Sequence, residues 1–139
     1  MKTILTLVLL CALRCGAMDR WAALSMIESG DCDSCVGPSG EVSRYQITTS
    51  EWNRVSKCCV IVIMGKPLNP KSSEDSSEVA KYVAAERSLK FKKMFKRLPN
   101  DFEWYLLWHR PACVLGGRKP TVVERDRAQR FANLCERKP

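Results

Sequence analysis

Residues 21–47 read WAALSMIESGDCDSCVGPSGEVSRYQI, an apolar periodic stretch that ends on a carboxylate and leads through a turn-rich segment into a short alternating run. Trp21, Leu24 and Ile27, with Ala23 and Met26 beside them, follow the i, i+3, i+4 spacing of a helix with one buried face. Asp19 stands where it can cap the start, and Gly30 stands where a helix usually stops. Glu28 therefore falls in the last turn, next to the buried stripe. Partial desolvation and the negative end of the helix dipole both disfavour its ionised form there and raise its pKa. A carboxylic acid still protonated near neutral pH can protonate a poor leaving group such as a glycosidic oxygen. The plainer alternative is a solvated glutamate just ahead of a helix C-cap.

The following segment adds a second carboxylate. Gly37, Pro38, Ser39 and Gly40 make a turn, and Glu41-Val42-Ser43-Arg44-Tyr45-Gln46-Ile47 then alternates as a strand does, which predicts a small β-hairpin. Thr48-Thr49-Ser50-Glu51 opens a new helix with a capping box. The local order is helix, loop, strand, helix.

This order and its residues resemble the active-site region of the lysozyme-like superfamily, the lytic transglycosylases in particular. Their pattern is a Glu-Ser at a helix end, a Gly-containing loop, and then Gly-x-x-x-x-x-Gln-Ile, which Glu28-Ser29, Gly40 and Gln46-Ile47 match. The resemblance implies that Glu28 is the acid/base that cleaves the bond between the two amino sugars of peptidoglycan. It also implies that Ser29, Tyr45 and Gln46 line the sugar cleft, with Ser43 at a position that is usually Gly. Trp108-His109-Arg110-Pro111 falls where transglycosylases often carry an aromatic-Asn-Ala-Gly segment closing the cleft, so Trp108 and His109 are further candidate substrate contacts. Their plainer roles are core packing for Trp108, spaced with Tyr105 and Phe102, and local hydrogen bonding for His109.

Glu41 departs from the transglycosylase pattern, where a small apolar residue is common, and resembles animal-type lysozymes, which place a second carboxylate five residues before the equivalent Gln; Glu41 stands five residues before Gln46. Two carboxylates permit hydrolysis by a nucleophile at about 5 Å separation or by an activated water at roughly 6.5–9.5 Å. Without a second role for Glu41, the sugar's own hydroxyl attacks and leaves an anhydro product. A charged residue on the open face of the hairpin, paired with Arg44, is the structural alternative.

The flanking sequence fits one small exported domain over residues 18–139. Residues Met1 to Ala17 carry Lys2, an apolar run from Ile4 to Leu13 and a small-residue end at Gly16-Ala17, which reads as a signal peptide too short for a comfortable membrane span. Secreted or periplasmic location follows, without stable membrane insertion. The remainder holds Cys32, Cys35, Cys58, Cys59, Cys113 and Cys135, an even number that favours disulfides, although six cysteines allow 15 connectivities. Cys32-Asp33-Ser34-Cys35 has the spacing of half a zinc site, but no second CxxC or nearby His completes a set, and no βαβ frame supports a redox motif. No metal or cofactor is expected.

Beyond Glu51 the chain reads as helical. Cys58-Cys59-Val60-Ile61-Val62-Ile63-Met64 is apolar core of either helix or strand type, and Leu68 to Ser77 is a polar linker. A long helix follows to Arg97 with Val79, Tyr82, Val83, Leu89, Phe91, Met94 and Phe95 on its apolar positions, then helices from Asp101 to about Arg110 and from Thr121 to about Glu136. Without Lys2 and Arg14 the chain carries 21 basic and 15 acidic residues, a net charge of +6 against +8 for the full sequence. That charge suits an anionic wall polymer. Lys90, Lys92, Lys93, Lys96 and Arg97 are the densest run; because Phe91, Met94 and Phe95 interleave with them at core spacing, the run reads as a solvated helix face and not as a nucleic-acid platform.

The expected fold is mainly α (α+β), a lysozyme-like helical domain with a small β-hairpin beside the active-site helix. The expected function is a secreted, monomeric glycan-cleaving enzyme, a lytic transglycosylase or lysozyme acting on the β-1,4 linkages of peptidoglycan or a related amino-sugar polymer, with Glu28 and Glu41 as its catalytic residues. Two alternatives come from other classes: an inactive lysozyme-like module that binds cell wall or chitin, and a disulfide-stapled basic antimicrobial that acts through charge.

Overall fold

A computed structural model describes residues 18–58 and 67–136. The expected signal peptide, Met1 to Ala17, and most of the apolar run from Cys58 to Met64 lie outside the described residues. Among the described residues six helices follow in order: α1 Arg20–Ser29, α2 Thr49–Ser56, α3 Ser73–Phe95, α4 Asp101–His109, α5 Ala112–Leu115 and α6 Val122–Glu136. None is long and apolar enough to cross a membrane.

Polar side chains set the helix starts. Asp19 accepts from Trp21 N at 3.1 Å, Thr48 from Glu51 N at 3.3 Å, and Asn100 and Glu103 form a reciprocal capping box on α4. α3 begins earlier than the sequence suggests, inside the expected linker. Ser72 Oγ accepts from Asp75 N at 3.2 Å, while the buried Asp75 carboxylate accepts from Asn69 N at 2.9 Å, so this polar stretch bonds to itself and nucleates the helix.

α4 is the central element. Trp104, Tyr105, Leu106, Leu107 and Trp108 are all buried, and α4 packs against both α3 and α6. Trp104 lies parallel to Phe131 of α6, with ring centroids 5.4 Å apart, and Trp21 of α1 meets Tyr45, Trp104 and Trp108 edge-on. Such pairs each add about 0.5–1.5 kcal/mol beyond area burial. The first and last described segments meet through Met18 N donating to Leu134 O at 3.0 Å, and Arg20 ties α1 to the start of α4 through Asp101.

Two expectations are corrected. The β-hairpin expected at residues 37–47 does not form: Val42 and Ile47 make an isolated antiparallel bridge, and Ser43 at φ 70° and Gln46 at φ 50° turn the chain between them. The alternation the sequence displays is one of burial, with Ser43, Tyr45 and Ile47 inward, but the left-handed residues prevent a second ladder rung. On α3, Phe91 is fully buried, whereas Leu89, Met94 and Phe95 are 67%, 54% and 44% exposed: Leu89, two residues from Phe91, falls on the opposite face, and at Met94 and Phe95 the helix runs past the end of its partners.

Candidate active site

Glu28 sits where the α1 helix ends, and Gly30, in the left-handed conformation, closes the helix by donating to Met26 O at 3.0 Å. The Glu28 side chain is 7% exposed. Tyr105 Oη, from α4, donates to Glu28 Oε1 at 2.7 Å, and His109 Nδ1, one turn further along α4, stands 3.7 Å from the same oxygen. Tyr105 and His109 stack, with centroids 5.8 Å apart.

Burial raises the Glu28 pKa above the usual carboxylate range. The Tyr105 hydrogen bond and the charge of Arg127 oppose that rise, and the charge of Glu41 adds to it; desolvation is the largest of the four and fixes the direction. His109 moves the other way, held below its ordinary value by burial and then by Arg127 and Arg110. It is therefore neutral at neutral pH, and its approach to Glu28 is a polar contact between a carboxyl and an uncharged imidazole, not an ion pair. Burial, followed by the charge and hydrogen bond of Glu28, drives the Tyr105 phenol far above its ordinary range, so its hydroxyl stays a donor.

Glu28, Glu41, Gln46, Trp108 and His109 all line one cleft of about 400 Å³, together with Glu51 of α2, Arg87 of α3 and Arg127 of α6. Glu41 is held on the loop by Ser39 N, which donates to its Oε2 at 3.0 Å, and by Gly37 N, which donates to its carbonyl at 2.9 Å. A Cβ on Gly37 would meet Gln46 Oε1 and Glu41 Oε2, so any larger residue there would push both side-chain ends aside. Gln46 Nε2 donates to Ser43 O at 3.0 Å and Cys35 O at 3.3 Å, which ties the Gln to the loop behind it. The Trp108 indole donates to Tyr45 O at 3.2 Å.

Ser29, Ser43 and Tyr45 lie outside that lining. Ser29 Oγ donates to Arg44 O at 2.8 Å and accepts from Cys32 N at 3.1 Å, Ser43 is buried with its hydroxyl accepting from Tyr45 N at 3.3 Å, and Tyr45 is in the aromatic core. They fix the loop that carries Glu41 and Gln46. The same loop is clamped by a Cys32–Cys35 disulfide and by a two-pronged bond from Arg44 to Asp33 at 2.6 and 3.0 Å. With its sulfurs joined, the CxxC offers no thiolates for zinc. Cys113 and Cys135 carry free thiols.

Three residues that shape the site, the buried Tyr105 and the cleft residues Arg87 and Arg127, were not visible as such in the sequence. Tyr105 reads as core, although its i, i+4 spacing from His109 puts both rings on one face of α4. Arg87 donates to Leu107 O at 3.1 Å and Trp108 O at 2.5 Å, pairs with Glu51 at 3.1 Å, and lies over the Trp108 ring. It thereby satisfies the open carbonyls at the end of α4. Arg127 gives no local sequence signal at all. Comparison with models of known protein families, with curated proteins and with solved structures finds no match to this chain.

Proposed function

We propose that this protein is a secreted or periplasmic enzyme that cleaves the β-1,4 glycosidic bonds of peptidoglycan or a related amino-sugar polymer, with Glu28 as general acid and then general base. The observation that carries this reading is a buried glutamate of raised pKa, oriented by a phenolic hydrogen bond, facing an open cleft that also holds a second carboxylate. The resemblance of Glu28-Ser29, Gly40 and Gln46-Ile47 to the transglycosylase pattern supports the same assignment.

In the first step Glu28 gives its proton to the glycosidic oxygen as the bond to the anomeric carbon breaks. Glu41, which lines the same cleft, opposes the positive charge that develops on the sugar ring. In the second step the carboxylate of Glu28 takes a proton from the attacking oxygen, either water or the sugar's own hydroxyl. Tyr105 holds the Glu28 carboxyl in place throughout, since its phenol does not titrate in the working range. Neutral His109 adds no charge beside Glu28, so Arg127 is the cation that opposes the effect of burial on that carboxyl.

The test is to incubate the processed protein, beside Glu28→Gln, with purified peptidoglycan and to identify soluble fragments by mass spectrometry. Glu28-dependent fragments of anhydro mass assign lytic transglycosylase activity, and water-added fragments assign lysozyme activity with Glu41 as nucleophile or base. Glycan that both forms bind without releasing fragments would replace the enzyme by a binding module.

A further inference from the structure

The carboxyl-terminal end of α3 leaves apolar side chains uncovered among unpaired cations. Leu89, Met94, Phe95 and Leu98 are 67%, 54%, 44% and 67% exposed. The stretch from Leu89 to Leu98 holds five basic residues and no acidic one. Of these, Arg97 is engaged by Glu103 at 2.6 Å and lies over the Phe91 ring, and Lys90 reaches Glu86 at 3.7 Å, while Lys92, Lys93 and Lys96 form no ion pair among the described residues. Phe91 points into the core and Phe95 packs on it at 4.5 Å, so Met94 and Phe95 flank the buried side of the helix just where its neighbours end. Lys96, at φ 58°, turns the chain and sets Leu98 beyond the tip.

We propose that this helix tip docks the protein reversibly on an anionic lipid surface. Charge complementarity and apolar exposure select the partner together. Lysines alone would suit any polyanion, but a polyanion without an apolar layer gives Met94, Phe95 and Leu98 nothing to cover them, whereas a bilayer interface accepts the apolar tip while long lysine side chains reach the head groups. The tip also lies at the end of the fold where residue 18 enters: Met18 bonds Leu134, and Arg20 bonds Asp101, three residues after Leu98. The cleft stands elsewhere, and its nearest α3 side chain is Arg87, two turns back along the helix.

The experiment is co-sedimentation of the protein, as processed by an exporting host, with vesicles of phosphatidylcholine alone and of phosphatidylcholine with phosphatidylglycerol. Expected is binding to the anionic vesicles only, falling as salt rises. Met94→Ser/Leu98→Ser and Lys92→Gln/Lys93→Gln should each weaken it roughly tenfold. A control at exposed apolar positions on α6, Val122→Ser/Val123→Ser, should leave it unchanged, with circular dichroism confirming that each variant folds. Absence of binding to anionic vesicles at low salt overturns the proposal. So does binding that the apolar substitutions leave untouched, which would mean a soluble polyanion, or self-association abolished by the same substitutions, which would mean a second copy covers the tip.

Discussion

Replacing Glu28 with Gln should stabilise this protein while removing its proposed chemistry, and the gain should grow with pH. The carboxyl is 7% exposed, and its pKa lies above the ordinary 4.5 chiefly because burial penalises the charge. A raised folded-state pKa means that the folded protein holds the proton more tightly than the unfolded chain. The carboxyl's stabilising contribution is therefore complete below 4.5 and is lost as pH rises through the folded-state value. Each unit of elevation weakens the fold by about 1.4 kcal/mol once the pH exceeds both values. Gln has nearly the same shape, can still accept from Tyr105, and has no charge to desolvate, so it escapes that loss. For a domain of this size the difference corresponds to about 4–7 °C in Tm per unit of elevation. Differential scanning calorimetry of both proteins at half-unit steps from pH 4 to pH 8 measures it. The Tm difference, variant minus wild type, should be smallest near pH 4, rise through the folded-state pKa and then level off. A difference that stays flat, or that shrinks toward pH 8, would show that Glu28 is not held protonated by burial and would remove the basis for its role as acid.

Tyr105→Phe deletes the hydroxyl that lowers the Glu28 pKa, so the alkaline limb of the pH–activity profile should move upward, with a stability loss of about 1–3 kcal/mol; an unmoved limb would disconnect Tyr105 from Glu28. Gly37→Ala puts a methyl where the Glu41 and Gln46 side-chain ends now lie and should displace both, depressing glycan binding and cleavage by fragment release while changing stability by less than about 1 kcal/mol by Tm. On α6, Glu124 accepts from Thr121 N at 2.7 Å and pairs with Arg118 at 2.5 Å, and its pKa falls to about 2, led by the Thr121 backbone bond. Its stabilisation is present above the unfolded carboxylate pKa and lost as pH falls toward about 2, so Glu124→Gln should lower Tm at pH 7 and make little difference near pH 2.

What was legible in the sequence followed from local rules. The α1 boundaries came from Asp19 and Gly30, Glu28 came from its place beside the apolar stripe, and the turn at residues 37–40 came from its Gly and Pro content. Helix periodicity located α3, α4 and α6 because each buries a face, but it could not say where a partner helix stops, and so Met94 and Phe95 were assigned to a core they extend beyond. The hairpin misreading has a different cause. Alternating burial from Ser43 to Ile47 is the signature of a strand, yet here it arises from a turn whose Ser43 and Gln46 take left-handed dihedrals, a conformation that those residue types do not announce. The partners of Glu28 were illegible for a third reason, since nothing in a linear pattern states that Tyr105, 77 positions later, will aim its hydroxyl at that carboxylate.

That separation also governs when the cleft can exist. Glu28 emerges early in synthesis, but Tyr105, His109 and Arg127 follow in the last third of the chain, and α1 is held against α6, the final helix described. Until α6 has left the ribosome and, for an exported chain, the translocation channel, the glutamate remains solvated and ionised, without the burial that raises its pKa. A nascent or prematurely terminated chain accordingly lacks the buried Glu28 on which the proposed glycan cleavage depends, and that chemistry waits until the last helix has been delivered.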